Sequence, residues 1–129
     1  MLLLDTSALI ALERELAERT IGPIRSYLGR HKGEDLACST VTVAEIASRA
    51  SEAATRVFLQ RLRKIPVSEA VAYRAGVLDK EMMKIGRRLG ENDNWIAATA
   101  LLNSATLVYL DGEFDRVLGL KRAKLPVSS

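Results

Sequence analysis

The chain is poor in the residues that carry most nucleophilic and soft-metal chemistry. Its 129 residues include one cysteine, Cys38, and one histidine, His31. A single cysteine excludes an intrachain disulfide and a zinc site built on thiolates. A single histidine excludes any mechanism or metal site that needs two imidazoles. Cys38 lies in an apolar stretch and reads as an inert core residue. His31 lies in the polar run Gly29 to Asp35 and is assigned no catalytic role. Long apolar runs are missing as well. The stretch from Trp95 to Leu110 is too short to span a bilayer and is interrupted by Asn103-Ser104. The opening Met1-Leu2-Leu3-Leu4-Asp5 has no basic start and is charged at its fifth residue, so no secretory signal is expected. Repeats, low-complexity tracts and linker-like stretches are also missing. These absences predict one soluble domain, residues 1–129, in the reducing environment of the cytoplasm and away from membranes.

What is present makes a folded chain. Hydrophobic residues at 48% and charged residues at 27% exclude disorder. A chain of this length buries roughly two-thirds of the surface it exposes when unfolded. Nineteen basic residues against sixteen acidic leave a net charge of +3, which permits a polyanionic partner without demanding one. Basic residues gather at Arg61 to Lys64, Lys84 to Arg88 and Lys121 to Lys124, and any one cluster is explained by a solvated helix face.

Short apolar runs alternate with helical stretches. Leu2-Leu3-Leu4 reads as a strand stopping at Asp5, with Thr6-Ser7 offering N-cap hydroxyls to a helix through Leu12. A helix over about 20–30 starts near Gly22-Pro23, and Leu36 to Ser39 is a buried strand. Thr42 is expected to cap the next helix, with Glu45 at capping-box spacing. Helices are expected over about 42–51 and 54–64, while Ile65-Pro66-Val67 is at most a marginal strand because of its proline. Ser68-Glu69-Ala70 opens a long helix whose Val71, Ala75, Leu78, Met82 and Ile85 recur at helical spacing. Gly86 and Gly90 bracket a basic loop, Arg87-Arg88-Leu89. A helix over about 93–103, apolar nearly all round, leads to a strand at Thr106 to Leu110 and a turn at Asp111-Gly112. The alternation predicts an α/β fold with a mainly parallel sheet, helices on both faces and a site at the carboxyl ends of the strands.

Four acids fall at those ends. Asp5 follows the first strand and Asp111 the strand at 106–110. Glu45 is expected in the first turn of the helix after the second strand, and Asp93 begins the buried helix. Singly, each has an ordinary explanation: Asp5 and Asp93 as helix caps, Glu45 in a capping box, Asp111 in a turn. Together, four carboxylates on one edge repel one another unless something offsets them. A divalent cation is the simplest offset, and all-oxygen ligation favours Mg²⁺ or Mn²⁺. Two such ions roughly 3.5–4 Å apart can activate water and stabilise the leaving oxygen of a phosphodiester. Such a nuclease requires carboxylates and neither histidine nor cysteine.

The segments Leu3-Leu4-Asp5-Thr6-Ser7-Ala8-Leu9-Ile10, Val43-Ala44-Glu45-Ile46 and Asn92 to Leu101 resemble the PIN domain, and more narrowly the VapC toxins of prokaryotic toxin–antitoxin pairs. Asp111-Gly112-Glu113-Phe114 and Gly119-Leu120 resemble that family's C-terminal signature. The resemblance implies an α/β/α sandwich and a Mg²⁺- or Mn²⁺-dependent endoribonuclease cutting structured RNA of the transfer or ribosomal class. It also implies a homodimer and a cognate antitoxin covering the active groove. By position, Asp5 and Asp93 match the firmest metal ligands, Glu45 the second acid, Asp111 the fourth, and Ser7 an accessory hydroxyl that binds water or phosphate. Tyr109 departs from the pattern, standing where a Thr or Ser usually precedes the fourth acid by two residues. This opens the question whether Asp111 is displaced, with Glu113 and Asp115 as substitutes. Arg87 and Arg88 are the basic residues expected nearest the groove, in reach of RNA phosphates. Trp95 and alanines 97, 98 and 100 are read as packing, and Val71, Leu78, Met82 and Met83 as core or a partner-binding groove.

Rival enzymes fit less well. An aspartyl-nucleophile phosphatase needs a second Asp two residues after the first, where this chain has Ser7, and a phospho-receiver needs an Asp-Asp pair after its first strand. A catalytically weak or inactive domain that binds RNA or protein is the remaining alternative.

Overall fold

The computed structural model describes residues 1–127. Strand β1 (Leu2–Leu4) leads into α1 (Thr6–Glu18) and α2 (Pro23–Arg30). Strand β2 (Leu36–Ser39) is followed by α3 (Thr40–Ala47) and α4 (Glu52–Leu59). Then come β3 (Arg63–Ile65), α5 (Glu69–Lys84), α6 (Glu91–Leu102), β4 (Thr106–Tyr109), a 3₁₀ turn (Gly112–Phe114) and β5 (Lys121–Lys124). The sheet order is β3-β2-β1-β4-β5 with every pairing parallel. The expected α/β/α sandwich is thus what forms, with all of its strands parallel.

The side-chain alternation of the strands divides the core into two layers. Leu2, Leu4, Cys38 and Val108 point into one layer with Ala8, Leu9, Ile24, Ile46 and Leu59 from α1 to α4. Leu3, Ala37, Leu107 and Tyr109 point into the other with Leu78 and Met82 of α5 and Ile96, Ala97 and Ala100 of α6. Strand β1 is buried on both faces, which is why it reads as an unbroken run of leucines. Trp95 packs against Val71, Ala75 and Ala98. Among the described residues, no helix is long and apolar enough to cross a membrane.

Several expectations need correction. The cap of α1 is Asp5 itself, ahead of the Thr6 and Ser7 hydroxyls: its Oδ1 accepts from Ala8 N. Helix α3 starts at Thr40 under a Ser39 cap, so Glu45 is its sixth residue, in the second turn, and forms no capping box. Strand β3 lies ahead of Pro66, where every residue keeps its N–H for pairing with β2. Lys121 to Lys124, read as a solvated basic cluster, forms the edge strand β5, and charge on an edge strand deters strand addition. On α5, Val71, Leu78 and Met82 are core and offer nothing to a partner, while Met83 and Ile85 are each 55% exposed. Ile85, the C-cap, has left the helical stripe it was expected to continue.

One buried charge holds α2 in place. Glu15, on α1, is 4% exposed and its carboxylate accepts from the N–H groups of Gly22 (2.9 Å), Ile24 and Arg25 (3.0 Å each). It supplies the cap that Gly22 has no side chain to make. The fit is close: a Cβ on Gly22 would lie 2.6 Å from the Glu15 carboxyl.

Candidate active site

The chain order of the sheet reverses at β1, where β2 and β3 extend one way and β4 and β5 the other. Open parallel sheets form their sites at such a point, beyond the carboxyl ends of the strands. Asp5 sits there, directly after β1, and is 4% exposed. Its Oδ1 accepts from Ala8 N at 2.8 Å and Ser7 Oγ at 2.7 Å, while no described residue donates to Oδ2. Ser7 Oγ also accepts from Leu110 N at 3.3 Å, tying the start of α1 to the end of β4. Leu4 pairs with Val108, so Asp111 follows on the adjacent strand.

Glu45 arrives from α3. Thr6 Oγ1 donates to Glu45 Oε1 at 2.7 Å and lies 3.1 Å from Thr42 Oγ1, so a threonine next to Asp5 orients the second acid. That link joins residues 39 apart and carries no sequence signature. Asp93, the third residue of α6, is half-buried. It faces Glu113 of the 3₁₀ turn, which the sequence offered only as a substitute for Asp111.

The electrostatics show how close these groups are. Burial pushes the Asp5 carboxyl from 3.8 up to about 6, against the pull of the Ala8 and Ser7 donors, with Asp111 and Glu45 adding to the rise. Burial and the neighbouring Glu113 carboxyl hold Asp93 well above the usual carboxylate range, with Asp5 and Glu45 adding their charges. Five acids therefore share one site. As their side chains stand, no three of them close around a common point at metal-ligand range among the described residues. The donors are all carboxylate oxygens, one oxygen of Asp5 is unclaimed, and the group is short of positive charge. That set fits a hard dication such as Mg²⁺ or Mn²⁺.

Tyr109 does not displace Asp111, whose charge still reaches Asp5. Its ring is buried edge-on to Phe114 and its hydroxyl donates to Asp115 Oδ1 at 2.7 Å. Asp115 is also held by Lys124 at 2.8 Å, so it is committed away from the site.

Beside Asp93 a cleft of about 680 Å³ opens between the loop 86–90 and the turn 112–116. Arg87, Arg88 and Arg116 line it, facing Glu113 and Asp115. Arg88 is engaged by Asp79 through two bonds of 2.8 and 3.0 Å, which pull the Asp79 carboxyl below its usual range. Arg87 and Arg116 make no such ion pair among the described residues. Arg116 was not anticipated, because its place depends on the turn after β4. Cys38 is buried, its thiol pushed up to about 11 by burial, and His31 stacks on Tyr27 with Nδ1 bonded to the Tyr27 carbonyl; neither bonds to the acids among the described residues.

A family model of the PIN domain matches residues 2–120. The chain belongs to the PIN domain family. No curated protein sequence matches it. Solved structures similar to this PIN domain include VapBC2 from Rickettsia felis bound to a DNA fragment from its promoter. That match has 24% identity over 96% of this chain and 98% of the other, with a TM-score of 0.79. VapBC-1 from nontypeable Haemophilus influenzae is 26% identical over 95% and 96%, with a TM-score of 0.73. VapBC-5 from Mycobacterium tuberculosis, a member of the VapBC family of toxin–antitoxin systems, is 23% identical over 97% of each chain, with a TM-score of 0.67.

Proposed function

We propose that this PIN domain is a VapC-type toxin: a Mg²⁺- or Mn²⁺-dependent endoribonuclease, held inactive by a cognate antitoxin. The observation that carries the reading is the convergence of Asp5, Glu45, Asp93 and Asp111, with Glu113, at the reversal point of the sheet. Like charges gathered in a partly desolvated site cost stability, and such a cost persists where the arrangement serves chemistry. Asp5, Glu45, Asp93 and Asp111 are the ligands in this reading. Ser7 holds Asp5 in one rotamer, and Thr6 does the same for Glu45. A bound dication would supply the charge balance, water activation and leaving-oxygen stabilisation that phosphodiester hydrolysis requires.

Arg87 and Arg116, with Arg88 partly neutralised by Asp79, would hold phosphates of a structured RNA, of the transfer or ribosomal class, along the cleft. The antitoxin partner is supported by the VapBC complexes among the structural likenesses. Homodimerisation and a cytoplasmic location belong to the same proposal. A second reading, a binding module without catalysis, is favoured by one observation, the absence of a preformed three-ligand cage among the described residues.

Cleavage of total cellular RNA by purified, antitoxin-free protein separates the two. Discrete fragments are expected with Mg²⁺ or Mn²⁺, none with EDTA, and none from Asp5→Asn or Asp93→Asn. Intact RNA from folded wild-type protein with metal would establish the binding module instead.

A further inference from the structure

The turn that carries Glu113 is gripped from two strands. Tyr109, the last residue of β4, is 1% exposed, and its hydroxyl donates to Asp115 Oδ1 at 2.7 Å. Lys124, the last residue of β5, donates to Asp115 Oδ2 at 2.8 Å. Asp115 N closes the turn on Gly112 O at 3.2 Å. The closure is tight, since a Cβ on Gly112 would lie 3.2 Å from Asp115 Oδ2 and 3.5 Å from Lys124 Nζ. Between Gly112 and Asp115 stands Glu113, exposed at the surface and facing Asp93.

A tyrosine that only filled the core would not need its hydroxyl. Packing against Phe114 uses the ring alone, at 5.2 Å between centroids. The hydroxyl reaches beyond the core to an acid that is itself neutralised by Lys124. This chain of contacts ends on the 112–115 turn, at one wall of the cleft. We infer that Tyr109 is a positioning residue: through Asp115, held by Lys124, its hydroxyl sets the 112–115 turn so that Glu113 is presented to Asp93 as a fifth cation-facing carboxylate. The inference rests on the metal-dependent reading of the site. It goes beyond that reading by giving Tyr109 the task of keeping Glu113 beside Asp93.

The test is a calorimetric titration of metal-free protein with Mn²⁺, alongside amide hydrogen exchange of residues 112–117 without metal. Wild type is compared with Tyr109→Phe, Glu113→Gln, their double variant and Asp5→Asn. Tyr109→Phe keeps the ring in the core. It is expected to speed exchange at the Asp115 amide and to weaken Mn²⁺ binding about tenfold, the size typical of a residue that orients a metal ligand. Glu113→Gln is expected to weaken binding at least as much, with no faster exchange. In the double variant, Tyr109→Phe should add nothing to the loss from Glu113→Gln, because a positioning residue has no effect once its ligand is gone. Asp115→Ala, at an exposed position, removes the same grip without touching the core and should match Tyr109→Phe if that variant folds poorly. Independent, additive losses would overturn the inference, as would wild-type affinity and exchange in Tyr109→Phe and Asp115→Ala. Either result with Mn²⁺ binding still lost in Asp5→Asn leaves the metal-dependent reading standing. Wild-type protein that binds no Mn²⁺ overturns both.

Discussion

Replacing Asp5 by asparagine should make the metal-free protein more stable at neutral pH, and the structure gives the size of the gain. Asparagine keeps an oxygen to accept from Ala8 N and Ser7 Oγ, so the helix cap survives. What it removes is a carboxylate that burial and its acidic neighbours hold at about 6 in place of 3.8. At about 1.4 kcal/mol per tenfold change in proton affinity, that difference is worth about 3 kcal/mol. The folded state binds the proton more tightly than the unfolded state. The wild type therefore has its full stability from this group below about pH 4, and loses it as the pH rises to about 6. Above that the deficit is constant. The stability of Asp5→Asn relative to wild type should thus climb between pH 4 and 6 and reach about 3 kcal/mol, or about 10 °C in melting temperature for a domain of this size. Asp93 moves in the same direction, since the Asp5 charge is one of the causes of its raised affinity. Urea unfolding in EDTA at a series of pH values measures the difference directly. Saturating Mg²⁺ should then shrink or reverse the gap at pH 7.5, because a ligand bound only to the folded wild type stabilises it by mass action. A wild-type-to-Asn difference that is the same at pH 4.5 and pH 7.5 would refute the account of Asp5 as a desolvated carboxylate.

Four further outcomes are expected. Glu15→Ala leaves three N–H groups at the start of α2 without their acceptor and should cost about 3 kcal/mol in urea unfolding. Gly22→Ala should destabilise through the clash with the same carboxyl, and neither change should abolish RNA cleavage per folded molecule. Neutralising Arg87 and Arg116 together should flatten the dependence of log RNA affinity on log salt by about 1.4, the release expected from two phosphate contacts. Arg88→Ala, already paired with Asp79, should change that slope less; an equal change for all three arginines would contradict the division among them.

The sequence exposed the features that depend on local pattern. The leucine run of β1, the apolar stripe of α5 and the buried α6 all announce themselves by period, and the acids at strand ends follow once the strands alternate with helices. What stayed hidden depends on contacts between distant segments. Lys121 to Lys124 has no apolar alternation, because β5 is an edge strand in contact with the core mainly through Ala123. Glu15 looks like any surface acid of a helix, and only the approach of α2 gives it three donors and buries it. Glu45 stood at apparent capping-box spacing from Thr42, but the helix had already begun under Ser39, and Thr6 from another segment claims the carboxylate. Tyr109 looked like an obstacle to the fourth acid, yet its ring turns into the core and leaves Asp111 near Asp5. The position of Glu113 beside Asp93 required the turn after β4, whose closure is set by Asp115 and Lys124.

The parallel pairing of β1 with β4 joins residues about a hundred positions apart, as Leu3 with Leu107. During synthesis, Asp5 emerges early and spends most of translation with an empty place on one side of its strand. Asp93, Asp111 and Glu113 leave the ribosome only near the end, and the strand that seats the last two must insert beside β1 before they face the other acids. Sheets that rely on such distant pairings fold slowly. Nascent chains halted before β4 would carry Asp5, Glu45 and Asp93 without Asp111 or Glu113. The side of the site built by Asp111 and Glu113 is therefore the last to be completed, and until β4 docks that edge of β1 is open.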